Sequence, residues 1–124
     1  MEIEKSVNAQ KAYFSTGATL PISYRLEMLK SLKTAIKAHE ADIIQALKSD
    51  LGKSEHEGFM CEIGMTLNEL SHFIKHLRSW NRPKRHPIAL VNFPSKGYSV
   101  YDPYGCVLIM SPWNYPFLLC MQHW

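Results

Sequence analysis

The segment Cys106-Val107-Leu108-Ile109-Met110 constrains this chain more than any other. It is apolar throughout, with no polar alternation, and Asp102-Pro103-Tyr104-Gly105 sets it off as a turn would. Such a run reads as a strand covered on both faces, as in a parallel sheet flanked by helices. Ser111-Pro112-Trp113-Asn114-Tyr115 then reads as a loop. Pro116 sits where a helix would start, with Phe117, Leu118, Leu119 and Met121 beyond it. A parallel strand needs a parallel neighbour, reached through a crossover of about a dozen or more residues. Only residues 117–124 follow. The expectation is the first piece of a larger α/β domain.

The rest of the sequence reads mainly as helix. Ile3, Val7 and Phe14 have helical spacing over residues 3–16, with Gly17 as the stop. Ile22, Leu26, Leu29, Leu32, Ile36, Ile43 and Leu47 trace one stripe, predicting a single long helix with Pro21 in its first turn and Gly52 as its C-terminal cap. A third helix is predicted from Glu55 to Trp80 on the stripe Phe59, Ile63, Leu67, Leu70, Ile74 and Leu77, ended by Pro83 and Pro87. Residues 88–93 and 97–101 then read as strands around a Pro-Ser break.

Composition excludes several classes. At 124 residues with 46% hydrophobic and 20% charged content, the chain suits one globular domain. The net charge of +3 and one basic stretch, Lys75 to Arg85, read as a solvated helix end rather than a nucleic-acid surface, since no aromatic interleaving accompanies it. No apolar run approaches the roughly 20 residues of a membrane span. Cys61, Cys106 and Cys120 are odd in number and lack metal-ligand spacing, which points to a reduced, cytoplasmic setting and to buried structural thiols. Glu69, His72 and His76 share a helix face that could approach a metal, but with no clear further ligand they read as exposed side chains; no metal is expected.

Residues 103–117, Pro-Tyr-Gly-Cys-Val-Leu-Ile-Met-Ser-Pro-Trp-Asn-Tyr-Pro-Phe, resemble the Pro-x-Gly-Val-x-x-x-Ile-x-x-Trp-Asn-[Tyr/Phe]-Pro segment of the aldehyde dehydrogenase superfamily. Tyr115 and the short N-terminus resemble its class 3 branch. So do Phe-Ser-x-Gly-x-Thr-x-Pro at 14–21, Arg25-Leu26, Asp50-Leu51-Gly52-Lys53-Ser54, and Trp80. The resemblance covers nearly the whole chain and about the first quarter of a typical family member.

The fold it implies is α/β: N-terminal helices (1–87, part of the cofactor domain), a bridging β-hairpin segment for oligomerisation (88–102), and the first strand of a Rossmann-like NAD(P)-binding core (103–124), truncated. The activity it implies is NAD(P)-dependent oxidation of aldehydes to carboxylic acids. By the same match, Asn114 would donate to the oxyanion, Ser111, Pro112 and Trp113 would lie along NAD or NADP, and Tyr115 and Leu119 would line the aldehyde tunnel. Glu62 resembles a recurrent structural glutamate, and Met65 falls where the branch can place a tunnel residue. The intact enzyme is expected to be a homodimer. The nucleophilic cysteine, general-base glutamate and glycine-rich turn would lie beyond Trp124, so the chain alone is expected to be inactive. After Gln122 the family pattern has proline where this chain has His123, which suggests a shifted frame, a shortened gene or a cut fragment. The alternative to an enzyme part is a non-catalytic module that associates with intact subunits.

Overall fold

The computed structural model describes residues 2–123. Helix α1 (Glu2–Ser15) ends as expected at Gly17, whose φ of 75° admits the left-handed turn. Nothing in α1 is buried, and Ile3 and Val7 face outward. Phe14 is half-buried at its end: a Cβ built on Gly105 would lie 3.3 Å from the Phe14 ring, so the turn before residue 106 packs on α1.

The single long helix expected from Ile22 is two helices, α2 (Ile22–Ala38) and α3 (Glu40–Leu51). Pro21 is the residue before α2 rather than inside its first turn. The break falls at His39, with φ −107° and ψ 19°, where the apolar stripe skips from Ile36 to Ile43. His39 and Glu40 stand where the next buried side chain would have been, and the His39 ring instead meets Asp42 at 3.1 Å in solvent. No proline or glycine marks the break. Gly52 caps α3 as predicted, in the left-handed region at φ 67°, donating to the Lys48 carbonyl. Because an L-side chain there costs about 1–2 kcal/mol, Gly52→Ala is expected to destabilise by that amount, read from urea unfolding. Open space around the site means the cost comes from backbone strain alone.

The third helix has the expected ends but not the expected interior. Ser54 caps α4 (Glu55–Gly58) through its hydroxyl, which accepts from the Glu57 N–H at 3.1 Å. A π-helical segment (Phe59–Ile63) follows, closed by the Gly64 N–H donating to the Phe59 carbonyl, and α5 (Gly64–Trp80) completes it. Leu29, Ile36, Ile63 and Leu70 form the centre of the core, where α2 packs on α5. Arg25 ties the start of α2 to Asn81 at the end of α5 (3.3 Å), and Lys33 donates to Ser71 at 2.8 Å.

The strand predicted at residues 88–93 does not form. Pairing is instead between β1 (Lys84–His86) and β2 (Gly97–Ser99), antiparallel, with Arg85 opposite Tyr98. Residues 90–92 make a 3-10 turn, and Leu90 and Val91 are about nine-tenths exposed. β-Branched and apolar content favours a strand only where a partner lies alongside, and among the described residues none does. The same reason governs residues 106–110, which have no ladder partner among the described residues and leave Leu108 and Met110 exposed. Helix α6 (Pro116–Met121) starts at Pro116 as predicted. No described helix is long and apolar enough to cross a membrane.

Candidate active-site loop

The loop 111–115 leads into α6, and its hold on the protein comes from two charged residues far back in the chain. Lys53 lies in the link between α3 and α4, and Glu62 in the π-helical segment; both are buried, Glu62 completely. The Lys53 ammonium pairs with Glu62 Oε1. It also donates to the backbone carbonyl of Asn114 at 2.8 Å and stands 4.1 Å from the centre of the Tyr115 ring. Glu62 Oε2 accepts from the N–H groups of Phe117 and Leu118, both at 3.0 Å.

Those two N–H groups are among the unpaired donors of the first turn of α6. Tyr115, at the N-cap, offers no side-chain bond to them, so a carboxylate from another element caps this helix. The capping charge suits the positive end of the helix. A buried ion pair is tolerated when each lone pair and proton finds a partner; here both carboxylate oxygens are used, and the ammonium has a carboxylate, a carbonyl and a ring face.

The sequence-predicted site residues fall along this loop and the start of α6. Asn114 is exposed, and among the described residues nothing hydrogen-bonds its carboxamide, although its backbone is tied. Ser111 is half-buried, its hydroxyl 3.5 Å from the Pro116 carbonyl; Pro112 is exposed and Trp113 is 87% exposed. Tyr115 and Leu119 are half-buried and one helical turn apart, joined by the Leu119 N–H to the Tyr115 carbonyl (3.1 Å). Met65 is exposed on α5.

The cysteines depart from expectation: Cys61 and Cys106 are half-buried and Cys120 is exposed, so none is a buried structural thiol. His72 and His76 stack with Trp80 in a ladder, their rings 4.5 Å apart and the His76 ring 5.7 Å from the indole. Among the described residues no three metal-ligating side chains gather.

Lys53 carried no functional weight in the sequence. The available signal was Glu62 itself: with Thr66 and Leu70 it repeats every four residues, and both of those are buried. A carboxylate on a buried face needs a cation, and Lys53 is that cation.

Comparisons with known proteins bear on the family and the fold. The family model described as "Aldehyde dehydrogenase family" matches residues 1–124. The chain is 44% identical over 120 residues to 4,4'-diaponeurosporen-aldehyde dehydrogenase of Staphylococcus aureus, covering 97% of this chain and 26% of that protein. It is 36% identical over 121 residues to aldehyde dehydrogenase family 3 member H1 of Arabidopsis thaliana, with 98% and 25% covered. The dog protein "aldehyde dehydrogenase, dimeric NADP-preferring" is 33% identical over 121 residues, with 98% and 27% covered. Among solved structures, the substrate-bound state of Staphylococcus aureus AldH superposes with a TM-score of 0.91 at 45% identity, over 94% of this chain and 26% of that one. The chain thus spans about a quarter of the length of these relatives, in their N-terminal region. With the family model matched from end to end and the fold of a solved relative reproduced over 94% of the chain, this chain belongs to the aldehyde dehydrogenase family.

Proposed function

We propose that this chain supplies the oxyanion-binding loop and one wall of the cofactor and aldehyde sites of an NAD(P)-dependent aldehyde dehydrogenase. The observation that carries the proposal is Asn114: an exposed, unclaimed carboxamide on a loop whose backbone is fixed by a buried ion pair. When a thiolate adds to an aldehyde, negative charge develops on the former carbonyl oxygen. The Asn114 carboxamide donates a hydrogen bond there without adding charge or protonating the thiolate. Tyr115 and Leu119 face the aldehyde with a phenol ring and an aliphatic side chain.

Ser111, Pro112 and Trp113 offer a hydroxyl beside exposed apolar and indole surface, which suits the ribose side of a dinucleotide. NAD or NADP held along these residues would supply the hydride acceptor for the oxidation. Three unpaired thiols suit the reducing cytoplasm, where we place the protein.

The test is a hybrid enzyme in which residues 1–124 replace the matched quarter of the Staphylococcus aureus relative. It is expected to form NADH or NADPH from an aliphatic and aromatic aldehyde panel, whereas the 124-residue chain alone is expected to form none. A hybrid that folds like its parent but gives no product overturns the proposal.

A second reading concerns subunit pairing. Leu90, Val91 and Phe93 stand 79–92% exposed at the end of the β1–β2 hairpin, apolar surface of the kind that partners cover. We propose that this segment pairs subunits, as a homodimer or between this chain and a longer relative. Cross-linking of the chain with the intact relative, abolished by Leu90→Asp with Val91→Asp, is the expected result.

A further inference from the structure

We infer that Lys53 and Glu62 are positioning residues for Asn114: a buried pair whose role is to aim that carboxamide. The inference rests on the oxyanion reading of Asn114 and adds to it the device that holds the residue in place.

Little else fixes this loop. Pro112 and Pro116 have no N–H to give, and the bond from Ser111 to the Pro116 carbonyl is long, at 3.5 Å. Among the described residues, the backbone of 112–114 makes one hydrogen bond, from the Lys53 ammonium to the Asn114 carbonyl. That bond sets the peptide plane directly after the Asn114 Cα. On the far side, Glu62 pins Phe117 and Leu118, so the start of α6 cannot shift without breaking two bonds. The two anchors are joined by their own ion pair, and together they hold the stretch that runs from the Asn114 carbonyl to Leu118. A hydrogen-bond donor acts on a developing charge only from a fixed distance. A misplacement of about 1 Å costs on the order of 10²-fold in rate.

Stability alone does not require the charges. Replacing a buried ion pair by hydrophobic residues of similar volume is often neutral or stabilising, so the fold is expected to survive removal of both charges, at the cost of at most one unpaired amide donor. Lys53→Met with Glu62→Gln does this. The glutamine carbonyl still accepts from Phe117 and Leu118, and the methionine keeps the aliphatic bulk, but the Asn114 carbonyl loses its bond to the ammonium.

In the hybrid enzyme, the double variant is expected to stay folded and to melt only a few degrees below its parent. Amide hydrogen exchange at residues 113–115 is expected to quicken, and kcat to fall by roughly 10–10²-fold, with KM for aldehyde and Kd for NAD(P) within about twofold. Lys53→Arg, which keeps the charge and the donors, is expected to recover most of the turnover. A kcat equal to the parent's overturns the inference, whatever exchange shows. So does a fall in kcat without faster exchange at 113–115. Loss of the folded state in the double variant also overturns it, since the pair would then support the fold and not the loop. Asn114→Ala, run alongside, separates the two claims: if it keeps full turnover, the oxyanion reading fails; if it loses turnover while the double variant keeps it, only the positioning role fails.

Discussion

Asn114→Ala in the hybrid enzyme is expected to lower kcat by roughly 10²–10³, the usual cost of one oxyanion donor. The charge it meets exists in the transition state and scarcely in the bound aldehyde, so kcat falls more than KM rises. Asn114→Asp is expected to be at least as damaging, because it sets a negative charge beside both thiolate and oxyanion. The carboxamide is exposed and has no partner among the described residues, so the melting temperature of either variant should stay with the parent's. Affinity for NAD(P) is likewise expected to hold, since Pro112 and Trp113 are the residues assigned to that surface. Steady-state kinetics with a cofactor titration check all of this. Wild-type turnover in Asn114→Ala would leave the residue as an ordinary part of a loop.

Lys53→Met alone is expected to act in the opposite way, on stability first. It strands the Glu62 carboxylate, which is completely buried. An uncompensated buried charge costs about 3–5 kcal/mol. Glu62→Ala strands the ammonium and also leaves the Phe117 and Leu118 N–H groups without an acceptor, so it should be at least as costly. The double variant Lys53→Met with Glu62→Gln should be far milder than Lys53→Met alone, which makes the two positions strongly coupled. Urea unfolding of the hybrid and its variants measures this. A single variant no less stable than the double would show that the pair is not coupled.

Much of the helical framework was legible because local signals coincide with burial. Gly17, Gly52 and Pro116 mark boundaries through backbone geometry that needs no tertiary context. The Trp-Asn-Tyr-Pro loop was legible as a motif. What escaped depends on partners distant in sequence. Residues 88–93 have strand composition, but strand formation requires a neighbour, and the hairpin instead pairs the polar Lys84–His86 with Gly97–Ser99. The break at His39 has no proline or glycine and shows only as a missing apolar position. Lys53 looks like an ordinary surface charge, and the spacing of Glu62 names no partner for it, until the fold brings the two together across 9 positions, and Lys53 to Asn114 across 61. The thiols are half-buried or exposed because few side chains are fully buried among the described residues, and none of the three cysteines is among them.

The π-helical turn at Phe59–Ile63 has a consequence for lineage as well as for geometry. Its closing bond spans five residues, from Gly64 back to Phe59, where an α-helix spans four. In effect one extra residue has been accommodated inside a helix that continues on both sides. Deleting one residue there, Met60 for example, would heal the turn into plain α-helix and leave the helical segments on either side in nearly the same orientation, because the wide turn takes up the extra residue locally. A side chain at position 64 would press the other way, since its Cβ would lie 3.1 Å from the Phe59 carbonyl oxygen. The swollen turn is thus a register mark. In an alignment of relatives, a one-residue gap between positions 59 and 63 should mark a helix that runs straight through as α-helix.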